Sequence, residues 1–337
     1  MIFPPECGYC RGKVPAGAGI RQGKVSKEDD ARLDQKVRAA WMYYIAGQNQ
    51  SEIATRLGTS RPVVQRLIAA AKEEGIVSIG LHHPVANCLD YAQLLQEKYQ
   101  LHECNIVPVY SEDSILDSVA FGCYQVMSRF LRADTPKIIG IGSGFTLKKT
   151  IQRIDFNCKN ARCVALISAM DENGQCNYYD DVPLLLARKL EAKYSQWPAP
   201  RYAQTNDEHA MWCSSRLFNN VSELANQADV IFVGVGPLGE QSPIYKDGFI
   251  NRAQLDELTA LGSVGEILGR FIDASGNVVN SEINQLITSY DIRKNPCPRI
   301  GVACGDYKRP AILAALKGGW INSLVTDEHT ARWLLTR

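Results

Sequence analysis

Two groups of residues carry types and spacings suited to chemistry. The first is Ser60, Arg61, Gln65 and Arg66, preceded closely by Gln50 and Arg56. An arginine fork matches the O6/N7 edge of guanine, a glutamine amide matches adenine, and a serine hydroxyl reaches phosphate or base. Arg56 and Gln50 fall where the phosphates of a duplex would pass. The second group is spread along the chain: Gly142, Ser143, Gly144 and Thr146, then Gly236, Glu266, Asp273 and Lys308. Glycine turns let backbone N–H groups and a hydroxyl approach an anion or polar oxygens. Carboxylates accept hydrogen bonds from sugar hydroxyls, and the Lys308 ammonium can reach a phosphate or a hydroxyl.

The elements that must position the first group are three short helices. Leu33, Val37, Ala40, Trp41, Tyr44 and Ile45 recur at three- and four-residue steps, which predicts an amphipathic helix closed by Gly47. Asn49 with Glu52 three residues on forms a capping box for a second helix over about 50–57. Ile53 and Leu57 face inward, Ala54 permits a close crossing, and Gly58 takes the turn. Ser60 is placed to cap a third helix over 61–74, with Pro62 tolerated in its first turn. Val64 and Leu67 complete the buried set, leaving Ser60, Arg61, Gln65 and Arg66 outward. This is the layout of a DNA-reading helix-turn-helix. Ile76 to Ile79 reads as a short strand, a candidate wing, and a further helix starts near Leu89.

Beyond residue 103, apolar runs alternate with helical stretches. The strands are read at 105–109, 137–141, 163–167, 230–234, 300–303 and 323–325, with helices over about 113–132, 181–194, 251–261 and 309–317. Continuous apolar strands separated by helices indicate an α/β body, a doubly wound and mostly parallel sheet covered on both faces. Gly142-Ser143-Gly144-Phe145-Thr146 follows one strand and opens a helix, and Gly234 to Gly239 ends another. Open α/β sheets bind ligands at the carboxyl ends of their strands, where both loops fall.

The chain has 337 residues, 45% hydrophobic and 22% charged, which suits about two globular domains. No stretch approaches a membrane span, and the start lacks a secretion signal, so a cytoplasmic location is expected. The 37 basic and 36 acidic residues nearly cancel, against nonspecific coating of nucleic acid but compatible with a local basic face. The 11 cysteines are scattered and read as reduced thiols. Cys7-Gly8-Tyr9-Cys10 has metal-knuckle spacing without a second pair, so no metal and no cofactor is expected. Three regions follow: a flexible tail over 1–27, a helix-turn-helix over 28–85 and an effector-binding α/β domain over 86–337.

From about residue 30 onward the chain resembles the SorC family of bacterial sugar-responsive transcriptional regulators. The carrying segments are Gln50 to Leu67, Gly140-Ile141-Gly142-Ser143-Gly144-Phe145-Thr146-Leu147, Ala228 to Gly236, Gly262 to Asp273, Ala303 to Lys308 and Thr326 to Ala331. The resemblance implies a body similar to sugar-phosphate isomerases that binds an effector without converting it. A homo-oligomer on a double-stranded DNA operator is expected, because one short head buries little DNA surface while dimers read two half-sites. The family commonly has a cation inside the first glycine loop, where Phe145 stands. It also commonly has an arginine after the Asn of the strand following the acidic motif, where Asn284 is followed by Gln285. Without those cations, a free sugar or polyol competes with a sugar phosphate as the expected effector.

Two enzymatic readings compete. A sugar-phosphate isomerase or deaminase needs a placed general base, commonly aided by histidine, and none of the five histidines lies in the glycine-loop or acidic motifs. A nicotinamide dehydrogenase needs G-x-G-x-x-G, which Gly140 to Phe145 only approximates.

Overall fold

The computed structural model describes residues 27–77, 84–132, 137–170 and 181–337, which fall into two compact units divided at 81/82. The tail over 1–26, with Cys7 and Cys10, lies outside the described residues, as do Ser78 and Ile79 of the anticipated wing. Ile76 and Val77, the other half of that wing, form no strand.

The first unit is α1 (Lys27–Tyr44), α2 (Gln50–Arg56) and α3 (Arg61–Glu73). Ala39, Ile53, Ala54, Val64 and Ile68 make its core, with Met42, Tyr44, Leu57 and Leu67 packed around them. On α1 the inward positions differ from the expected ones. Of the expected positions Ala40 is buried and Tyr44 packs against the core, as does the unexpected Ala39, whereas Leu33, Val37, Trp41 and Ile45 are 44–73% exposed. The helical periodicity admits two stripes on α1, and the buried one includes the two small alanines. The ion pair of Lys36 with Glu74 ties α1 to the end of α3 at 2.5 Å.

The second unit opens with α4 (Pro84–Tyr99), so the expected 85/86 boundary falls in a helix's first turn. There follow β1 (Glu103–Val107), α5 (Ile115–Leu131), β2 (Ile138–Ile141), α6 (Phe145–Gln152), β3 (Arg162–Ala165), α7 (Val182–Leu190) and β4 (Lys193–Ser195). Next come α8 (Asn206–Ser214), α9 (Arg216–Asn226), β5 (Val230–Gly234), β6 (Gly236–Pro237), α10 (Pro243–Lys246), α11 (Arg252–Ala260), β7 (Ser263–Ile267) and β8 (Arg270–Asp273). The chain closes with α12 (Glu282–Gln285), β9 (Arg299–Val302), α13 (Arg309–Lys317), β10 (Ser323–Asp327) and α14 (Glu328–Leu335).

Seven strands form one sheet in the order β1-β10-β9-β5-β2-β3-β4, every pairing parallel. Its two faces are both covered, and the two-residue period of a strand shows directly on β5. Val230 and Phe232 join a core with α5, α6 and α7, whereas Ile231 and Val233 join one with α4, α9, α13 and α14. The six strands read from apolar runs are all present within a few residues. β4 replaces the end of the helix expected over 181–194, because α7 stops at Leu190 and Glu191 turns left-handed at φ 54°. A second, antiparallel sheet of β6, β7 and β8 was not expected, since its strands are short and interrupted by glycine and charge.

Candidate functional site

In the first unit, Asn49 accepts hydrogen bonds from the N–H groups of Ser51 and Glu52, at 3.0 and 3.1 Å. The Glu52 carboxylate accepts one back from the Asn49 N–H at 2.9 Å, closing the capping box at the start of α2. Gly58 occupies the turn at φ +61°, a backbone state that strains other residues. Ser60 stands at the N-cap of α3 with extended backbone, but its hydroxyl makes no capping hydrogen bond. Ser60, Arg61, Gln65, Arg66 and Arg56 are exposed, and Gln50 is partly so. Arg61 Nε donates to Gln50 Oε1 at 3.4 Å, bringing together two residues from the two helices. Buried Val64 and Ile68 hold the opposite side of α3 against the core. The helix therefore presents a polar, cationic face to solvent.

In the second unit, a cleft of about 840 Å³, its mouth included, lies at the carboxyl ends of β2, β5 and β9. Of the expected effector residues it gathers Ser143, Gly144, Thr146, Gly236, Glu266 and Lys308. Ser143 and Gly144 follow β2 and lead into α6, whose first N–H groups have no partner within the helix. The lack of a side chain at Gly236 makes room for the Glu266 carboxylate: a Cβ there would lie 1.9 Å from Glu266 Oε1, and that carboxylate would have to move. The Glu266 carboxylate in turn accepts from the Gly269 N–H at 2.8 Å. This hydrogen bond steadies the β7–β8 turn, in which Leu268 adopts φ +51°. The Tyr202 hydroxyl donates to the Gly269 carbonyl and the Ser289 hydroxyl to the Leu268 carbonyl, at 2.6 and 2.7 Å. Lys308, just before α13, is partly buried. Burial pulls its ammonium below the ordinary lysine value, with Cys304 and Glu266 acting in the other direction.

Two expected residues are placed elsewhere. Gly142 lies behind the wall, where a Cβ would meet Leu268 Cδ2 at 2.8 Å. It serves the site by letting Leu268 approach. Asp273 pairs with Ser263 at the end of the β7–β8 ladder away from the turn. Its carboxylate accepts from the N–H groups of Ser275 and Asn277 at 2.8 and 2.9 Å, so it organises a surface turn outside the cavity. Asn284 lies on the short helix α12 and not on a strand, with its amide engaged by Phe271 and Val279.

The cleft also contains residues that the sequence reading missed. Arg201 is 5% exposed, donates from Nε and Nη2 to the Ser168 carbonyl, and lies 3.5 Å from the centre of the Phe249 ring. Asp247 and Phe249 follow α10 and line the same space. A lone arginine in Trp197-Pro198-Ala199-Pro200-Arg201 offers no periodic or motif signal. Among the described residues lining the cleft there is no histidine. His209 bonds the Ile287 carbonyl and His329 lies beside Glu112. No helix among the described residues is long and apolar enough to cross a membrane.

A helix-turn-helix unit carried on the same chain as a ligand cleft defines a ligand-responsive transcriptional regulator. Residues 83–336 match the family described as "Putative sugar-binding domain", and residues 30–78 match the homeodomain-like domain. The chain is 29% identical to the erythritol catabolism regulatory protein EryD of Brucella abortus, over 91% of this chain and 98% of that one. It is 31% identical to the transcriptional regulator LsrR of Escherichia coli, over 94% and 99%. The full-length sorbitol operon regulator SorC of Klebsiella pneumoniae superposes with a TM-score of 0.68 at 26% identity, over 91% and 99%. The chain belongs to the SorC family of sugar-responsive transcriptional regulators. Its matched relatives are regulators, and it is a regulator, not an enzyme.

Proposed function

We propose that α3 reads a double-stranded DNA operator beside a carbohydrate-catabolism operon. In this reading a sugar, polyol or sugar phosphate held in the cleft sets the affinity. Ser60, Arg61, Gln65 and Arg66 contact base edges and nearby phosphates, while Gln50 and Arg56 contact the backbone. Ser143, Gly144, Thr146, Gly236, Glu266 and Lys308 receive the effector, together with Arg201 and Asp247. The single observation carrying this reading is the outward polar face of α3, held by its buried opposite side on a unit separate from the ligand cleft.

The protein acts in the cytoplasm as a homo-oligomer, a dimer or tetramer. One short recognition helix covers few base pairs, while two related heads read paired half-sites. Effector binding then favours one arrangement of subunits over another, and the shift is limited by the difference in effector affinity between the two. Two relatives bear names concerned with erythritol catabolism and a sorbitol operon, which supports a polyhydroxylated effector. The test is selection of duplex fragments from a random pool by the full-length protein, then footprinting with and without a sugar panel. Recovery of a paired-half-site sequence whose protection responds to one sugar class is expected. Uniform, sequence-independent retention would refute the reading.

A further inference from the structure

The charges around the cleft bear on what it admits. Among the described residues lining it, four are ionisable with a formal charge at neutral pH: Arg201, Lys308, Asp247 and Glu266. Two are positive and two negative, so the lining sums to zero. Arg201 is fixed on the Ser168 carbonyl and the face of Phe249. The cations of α6 and of the residue after it pair with acids that do not line the cleft, Lys149 Nζ lying also 5.6 Å from the centre of the Phe145 ring. Lys148 pairs with Asp181 at 3.6 Å, and Lys149 and Arg153 both reach Asp117, at 2.9 and 3.3 Å. At the start of that helix the cleft is lined by the exposed ring of Phe145. The N-terminus of α6 adds about half a unit of positive charge to a lining that sums to zero, which leaves most of a dianion's charge uncompensated on entry.

An uncharged polyol meets no such conflict. Its hydroxyls donate to Asp247 and Glu266 and accept from Lys308 and the loop N–H groups, while its C–H face lies against the Phe145 ring. We propose that the cleft selects an uncharged polyhydroxylated ligand, a free sugar or polyol, over the corresponding phosphate ester. This rests on the cleft being the effector site.

The full-length protein is titrated by calorimetry with four- to six-carbon alditols and aldoses and, separately, with their terminal monophosphates. The expected result is saturable binding of at least one neutral compound, with its ester at least about tenfold weaker. Glu266→Gln keeps an oxygen for the Gly269 N–H while removing a charge. It is expected to shift the ratio of the two dissociation constants toward the ester by about tenfold, an effect that added salt diminishes. Asp247→Asn is expected to do the same on a separate element, should Glu266→Gln fail to fold. A structural role alone would weaken both ligands equally. Tighter binding of an ester than of its parent sugar overturns the charge selection while leaving the effector site standing. Binding of neither class, or binding unaffected by both substitutions, overturns the effector-site reading and this proposal with it.

Discussion

Arg61 and Lys308 make the account testable side chain by side chain. Arg61→Ala removes an exposed fork and no core contact, so the fold stays intact. Operator affinity is expected to fall by about 1–3 kcal/mol if the fork spans a guanine, with weaker change on random duplex. Fluorescence anisotropy on both duplexes at one fixed salt concentration measures the difference; equal losses would make Arg61 a phosphate contact only. Lys308→Ala is expected to leave operator affinity unchanged while raising the effector concentration needed for the response. Asp273 belongs to stability. Burial raises its carboxyl pKa, but hydrogen bonds from Asn277, Ser275 and Gly276 outweigh that and hold it below the ordinary aspartate value. Its stabilising contribution is therefore present above that ordinary value and lost as pH falls through the lowered one. Asp273→Ala should lower the melting temperature at pH 7 with ligand affinity unchanged, and that difference should shrink as pH falls below the ordinary aspartate value. Asp273 looked like a ligand in sequence because an acid ending a strand after a glycine turn suits either role. Arg201 and Asp247 gave no sign at all, since only tertiary folding brings them to the cleft.

At the scale of elements, legibility followed periodicity and capping. The helix pair from Gln50 was readable because the Asn49–Glu52 box, the Gly58 turn and the buried Ile53 and Val64 are local in sequence. The seven-stranded sheet was readable in six of its strands because both faces are covered, which makes the strands continuously apolar. β6, β7 and β8 escaped because Gly236, Gly265, Glu266 and Asp273 break any such run. On α1 four of the larger apolar side chains misled, as the core took Ala39 with the expected Ala40 and Tyr44 and left Leu33, Val37, Trp41 and Ile45 exposed. Two predictions belong here. Ile53→Ala, at a fully buried position in a small core, should cost about 2–5 kcal/mol and unfold the head, abolishing DNA binding. Calorimetry should show the body's transition and its ligand shift preserved, because the compact units divide at 81/82. Gly236→Ala displaces the Glu266 carboxylate from its place in the cleft wall, so ligand affinity should fall at least tenfold with DNA affinity unchanged. Retained ligand affinity in that variant would remove the β5–β6 bend from the site.

The whole molecule carries a formal charge of only +1, so in the proposed reading its attraction to DNA comes from the local face around Arg56, Arg61 and Arg66. On the proposed homo-oligomer, regulation requires that a ligand in one unit change how the heads meet paired half-sites. The most direct measurement is the operator dissociation constant of the full-length protein, titrated with an effector that calorimetry has shown to fill the cleft, at fixed salt. The account predicts a shift of at least fivefold that saturates with cleft occupancy, accompanied by the reciprocal shift in effector affinity when operator is present. The Gly236→Ala protein should show no shift over the same effector range. An operator dissociation constant that stays the same as the cleft fills would contradict the account.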